Sequence, residues 1–210
     1  MSTSTLSSRS AFVIGAALAV WLPQAACTGG IHHRGQHQLS VTGAYGVPFD
    51  RTGRGDSAAI GLGYEYFARD RLAVAAAMTP YRNYDQGDGD AHAGELQVGV
   101  RWYFWELNLG KVPLAFYVDL LAGLTHSSRS VPEDGACTNF VEDAGIGVQV
   151  PITENVSWVA GYRLRHLSHA HVFGGEPNPG QDDQQFYLSL IHISEPTRLL
   201  SISYAVFCLK

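Results

Sequence analysis

The sequence predicts an all-β protein, an eight-stranded antiparallel up-and-down barrel that spans a membrane. Three observations carry this. Apolar residues recur at every second position through most of residues 36–187. The alternating segments are joined by connections that are strictly short, then long, in turn. The other face of each segment is filled with small or polar residues, which suits a barrel with lipid outside and a polar interior.

The strands follow in order. The first is expected at about 36–46 and the second at 57–68, where Ile60, Leu62, Tyr64 and Tyr66 alternate with Ala59, Gly61, Gly63 and Glu65. The third, 71–82, sets Leu72, Val74, Ala76 and Met78 against small residues. The fourth, 92–106, sets Leu96, Val98, Val100, Trp102 and Phe104 against Glu95, Gln97, Gly99, Arg101 and Tyr103. The fifth, 112–126, carries Leu114, Phe116, Val118, Leu120 and Leu124 on one face. The sixth, 139–150, carries Ile146, Val148 and Val150, and the seventh and eighth run over 155–170 and from 182 onward. Trp102-Tyr103-Phe104-Trp105 reads as part of an interfacial aromatic girdle. Connections at 69–70, 108–111 and 151–154 are short, whereas 51–56, 83–91, 127–138 and 171–181 are longer and rich in Gly, Asp, Ser or Pro. Outer-membrane barrels keep short turns in the periplasm and long loops outside. The competing architecture is a soluble secreted barrel or sandwich, which points its apolar face inward.

Three segments are expected. Arg9, the apolar run from Ala11 to Leu22, and the small Ala25 and Ala26 have the layout of a secretory signal over 1–26. Residues 27–187 form the barrel. Residues 188–210 read as a non-native tail. Leu188-Ser189-Leu190-Ile191-His192-Ile193-Ser194-Glu195-Pro196-Thr197-Arg198 resembles the in-frame translation of a transposase-type sequencing adapter. A flow-cell primer site follows as Ile202-Ser203-Tyr204-Ala205-Val206-Phe207-Cys208-Leu209. Two adjacent matches in the correct order argue against chance, so His192 and Cys208 leave the functional inventory. Leu188 and Leu190 nevertheless keep the outward apolar parity. Cleavage near Ala26 would expose Cys27, whose fates are lipidation, a disulfide to Cys137, or a free thiol.

The formal net charge is -5 and there is no basic run, which argues against nucleic acid. Of the remaining histidines, His32, His33 and His37 form a conceivable surface metal site, with a mobile N-terminal segment the plainer reading. Asp85, Asp88 and Asp90 share a loop with Gly87 and Gly89, where a solvated external loop outweighs a Ca²⁺ site. No metal site and no cofactor are expected.

The chemistry concentrates in the seventh strand. Val156, Trp158, Ala160, Tyr162, Leu164, His166 and Ser168 share one face, and Ser157, Gly161, Arg163, Arg165 and His169 the other. The apolar face points to lipid, so His166 and Ser168 point outward, beside a long external loop. Two residues apart on a strand is about 6.5–7 Å at Cα, within reach of a hydroxyl-to-imidazole hydrogen bond. A serine needs such a base to become nucleophilic, and the base needs an acid to fix its tautomer. Arg163 and Arg165 lie on the inward face, which favours lumen packing over binding a substrate phosphate. By itself, His-x-Ser is a weak signal.

His166-Leu167-Ser168-His169-Ala170, followed by Pro177-Asn178-Pro179-Gly180-Gln181-Asp182, resembles the signature of the PagL family of outer-membrane lipid A deacylases. That family's pattern is His-x-Ser-Asn-Ala, a Pro/Asn/Gly loop and an acid. The resemblance is sharpest over 162–186. It implies hydrolysis of the ester that joins a 3-hydroxyacyl chain to the 3-position of lipid A, in the outer membrane of a Gram-negative bacterium. The substrate would be lipid A or lipopolysaccharide among outer-membrane lipid, with a homodimer left open. By position, Ser168 would be the nucleophile and His166 the base. Asp182 best matches the family's acid, usually Glu, with Glu176 and Asp183 as rivals. His169 stands where the family has an Asn thought to help hold the oxyanion, and His169 and Ala170 are the oxyanion or substrate candidates. The alternatives are a non-catalytic outer-membrane barrel and a soluble secreted esterase.

Overall fold

The computed structural model describes residues 32–50, 54–86, 89–172 and 178–194. The expected signal, Cys27, Asp88, the rival acid Glu176 and the tail beyond residue 194 lie outside the described residues. Cys137 is exposed and free.

Eight strands form: β1 (His37–Pro48), β2 (Ser57–Arg69), β3 (Leu72–Asn83), β4 (Ala91–Leu109), β5 (Val112–Ser127), β6 (Thr138–Pro151), β7 (Val156–Ser168) and β8 (Gln181–Ser194). Each pairs antiparallel with the next, and β8 closes on β1 from His37↔Ser194 to Pro48↔Asp183. Closure removes both sheet edges, which is what lets strands cross lipid with their backbone groups paired.

The faces are inverted relative to a soluble barrel. Leu39, Ile60, Leu62, Leu96, Val98, Leu120, Trp158 and Leu188 are all exposed on the outside. The interior holds charge instead. Arg101 donates to Glu65 at 2.5 Å and to Asp119 at 2.8 Å, and Arg163 donates to Asp119 at 3.1 Å. Arg165 donates to Glu95. The guanidinium carbons of Arg101, Arg163 and Arg165 lie 4.2, 4.3 and 4.3 Å from the ring centres of Tyr117, Tyr187 and Tyr81. Buried charge is tolerated here because it is paired and stacked. This arrangement excludes the soluble alternative, and Arg163 and Arg165 prove to be lumen residues. A cavity of about 50 Å³, lined in part by Glu65, Arg101, Arg163 and Gln185, has room for a few waters and not for a lipid.

Two local readings change. Tyr103 does not join the girdle: it is fully buried in the lumen, and its hydroxyl donates to Gln149 at 2.7 Å. A register shift between Tyr103 and Trp105 leaves Trp102 and Trp105 both outward, where Tyr64, Tyr66 and Trp158 complete an aromatic belt at the short-turn end. His32 is buried rather than on the surface. It plugs that end of the lumen, stacked on Phe67 at 5.0 Å and on Tyr103 at 3.7 Å. His37 instead bonds the Tyr64 hydroxyl at 2.7 Å, and no group of three metal-ligating side chains occurs among the described residues. In the β3–β4 loop, Asp90 accepts from Arg82 at 2.7 Å, and that hydrogen bond holds its carboxyl below the usual range.

Strand β8 runs on through residues 188–194, the start of the segment expected above to be a non-native tail. Leu188 and Leu190 face outward as parity requires, and Ile191 and Ile193 pack inward with Phe67, Tyr103 and Val159. Geometric closure therefore needs only alternation at these positions, whatever their origin.

Candidate active site

Strand β7 ends at Ser168 rather than running to Ala170. The reason is local: Ala170 and His171 have φ of 48° and 59°, the left-handed region, which turns the chain out of the sheet. Ser168 is therefore the last residue of the strand, at the long-loop end. His166 lies one alternation below it on the same outward face.

Register supplies what parity cannot. His166 stands directly opposite Asp182 on β8. Its Nδ1 lies 2.6 Å from Asp182 Oδ1, with both side chains substantially exposed. Directly paired residues hold their Cβ atoms about 4.5–5.5 Å apart, which suits this contact. With Nδ1 engaged by Asp182, Nε2 is the ring nitrogen left over. On the other side His166 stands opposite Glu142 of β6, an outward residue. Ser168 is opposite Phe140.

The loop before β8 packs on the imidazole. A Cβ at position 180 would sit 3.1 Å from His166 Cε1 and 3.7 Å from Nε2, so glycine allows the chain to close against the ring. The Gly180 carbonyl accepts from Arg54 Nη2 at 2.9 Å, and Arg54 is itself held by Asp50 at 2.9 Å.

The other sequence candidates fall elsewhere. Asp183 faces the lumen, where it accepts from Gln181 at 2.8 Å and lies 3.8 Å from Arg165 Nη1. His169 is buried, not on the His166 face. Its Nδ1 accepts the His171 amide at 3.1 Å, and its own amide donates to Asn178 Oδ1 at 3.1 Å. That makes it a strut of the turn. Glu142 and Arg54 carry no functional signal in the sequence, and Asn178 enters there only as part of the loop motif. Parity with Ile146 and Val148 was enough to place Glu142 outward, but its pairing with His166 depends on register.

The height of the site follows from the strand. Trp158 in the lower belt and His166 are eight residues apart, about 26 Å along a strand and about 20 Å along the normal at a tilt of about 40°. An apolar band is about 25 Å tall. His166 and Ser168 therefore sit at the outer boundary of the hydrocarbon. A larger apolar groove, of about 830 Å³, crosses the lipid face of β2–β5 and includes Leu62, Met78, Leu96 and Leu124, but neither His166 nor Ser168.

A closed eight-stranded barrel with an apolar exterior and an ion-paired interior is an integral protein of the Gram-negative outer membrane. Residues 73–190, more than half of the chain, match the family described as "Lipid A 3-O-deacylase (PagL)", and the chain belongs to that family. The crystal structure of the outer-membrane enzyme PagL is similar at TM-score 0.55 and 17% identity, covering 71% of this chain and 97% of that one. The outer-membrane protein OprG from Pseudomonas aeruginosa is similar at TM-score 0.52 and 10% identity, covering 79% and 99%. At these identities the likeness is one of fold. No curated sequence matches the chain significantly.

Proposed function

We propose that this protein hydrolyses the ester that joins a 3-hydroxyacyl chain to the 3-position of lipid A. Ser168 is the nucleophile, His166 the general base and Asp182 the acid. The observation that carries this reading is the 2.6 Å His166–Asp182 contact on the lipid face, one alternation from a serine. Family membership supports the substrate class. Ser168 Oγ attacks the ester carbonyl while His166 Nε2 takes its proton, and the carbonyl electrons move onto oxygen. Asp182 stabilises the imidazolium through Nδ1–H. Collapse of the intermediate breaks the bond to the sugar oxygen, which takes the proton from Nε2. Water then hydrolyses the acyl-enzyme by the same relay. The oxyanion contact is assigned to the backbone amide of Ala170, since the amides of His169 and His171 already have acceptors. The reaction calls for no cofactor. A lateral site at the hydrocarbon boundary receives the substrate without lifting it from the bilayer.

Mass spectrometry of lipid A from expressing cells tests the proposal. Wild type should remove one 3-hydroxyacyl chain, and Ser168→Ala should leave lipid A unchanged. Intact lipid A with folded wild type, or deacylation by Ser168→Ala, would overturn it.

A further inference from the structure

The outward face of β6 carries one charged residue. Its outward column runs Phe140, Glu142, Ala144, Ile146 and Val148. A carboxylate on the lipid face costs stability unless it lies near the headgroups or has something to interact with. The neighbours of Glu142 leave one direction for such an interaction. Across β5 it is opposite Ala122, and across β7 it is opposite His166. Its diagonal neighbours on the two strands are Leu120 and Leu124, and Leu164 and Ser168. Among these side chains the polar partners are His166 and Ser168 alone.

We infer that Glu142 is a second carboxylate of this site, a positioning residue that holds negative charge against His166 from the side opposite Asp182. The inference rests on the proposed function for its role in catalysis, but its electrostatic content can be measured without turnover. His166 sits between two outward carboxylates in one cross-strand row, Glu142–His166–Asp182 across β6, β7 and β8. Asp182 takes Nδ1. Glu142 acts through space, favouring the cation that forms when the ring accepts the serine proton. Leu164 and Ser168 on its own strand face and Gly180 from the loop carry no charge; beyond Gly180, Arg54 donates to that residue's carbonyl and is itself paired with Asp50. Arg165, its chain neighbour, points into the lumen onto Glu95.

The test uses the full chain folded in detergent micelles, with ring-labelled histidine and His166 assigned by loss of its signal in His166→Gln. NMR then follows the His166 titration in wild type, Glu142→Gln and Glu142→Asp. Removing an anion disfavours the imidazolium, so Glu142→Gln should lower the midpoint relative to wild type, and Glu142→Asp should restore most of the difference. A Glu142→Gln midpoint that coincides with wild type, as expected for a solvated headgroup-level carboxylate, overturns the inference. Deacylation is read alongside: Glu142→Gln should lower kcat about tenfold with KM within about twofold, and move the acid limb of the rate profile downward with the titration. An unchanged kcat and acid limb in an active enzyme also overturns it. Failure of the lipid A reading shows separately, as intact lipid A with wild type while the titration still answers for Glu142.

Discussion

Replacing Asp182 by Asn tests the core of the proposed relay. The substitution keeps the shape and removes the charge that faces His166 Nδ1 at 2.6 Å. A hydrogen bond to a charged group is worth about 1.5–3 kcal/mol. At about 1.4 kcal/mol per decade, losing it from the transition state costs about 10- to 150-fold in kcat. Both partners are well exposed in the protein, His166 at 46% and Asp182 at 67% of their side-chain surface. Screening therefore places the effect in the lower half of that range. An amide that turns its NH₂ toward Nδ1 selects the wrong tautomer, which adds to the loss. The assay is release of 3-hydroxy fatty acid from detergent-dispersed lipid A, with kcat and KM separated. KM should stay within about twofold, because the lost interaction belongs to the imidazolium. Asp183→Asn is the control, since that side chain faces the lumen and not His166. If Asp182→Asn retains kcat within twofold while Ser168→Ala is dead, Asp182 is not the acid.

Two further outcomes are expected. Asp119→Ala removes the shared acceptor of Arg101 and Arg163 in a buried network, which should cost about 3–5 kcal/mol. In urea unfolding from lipid vesicles this reads as a midpoint lower by about 1–2 M. An unchanged midpoint would mean that water already carries those charges. At the DNA level, an independent read of the 3′ end of the gene should diverge from the present sequence after the Tyr187 codon, into a segment that alternates apolar outward. Recovery of the same residues from 188 to 209 would show the tail to be native.

Much of the fold was legible before any coordinates. Period-two alternation located all eight strands to within a few residues, because in a barrel each strand's inside and outside are fixed by parity alone. The reversed polarity of those faces identified the solvent as lipid. Loop lengths gave the expectation of which end faces outward. Parity also put His166 and Ser168 on the lipid face and His169 on the other. Where reading failed, a local event broke the alternation. The bulge after Tyr103 turned one girdle aromatic inward, and left-handed φ at Ala170 and His171 ended β7 early. His32 escaped because a segment outside the sheet has no parity to read.

The candidate site divides in the same way. Sequence put the proposed serine and histidine on one face, since residues two apart on a strand share a face through covalent geometry, and the family resemblance proposed their roles. It also narrowed the acid to three carboxylates. Only the tertiary structure separated Asp182 from Asp183, because their opposite directions matter only once β8 is paired with β7. Only the tertiary structure set Glu142 beside His166 and closed Gly180 onto the ring. Those contacts depend on register between strands and on loop closure. Register is fixed jointly by every pair around the barrel, so no single strand's sequence contains it.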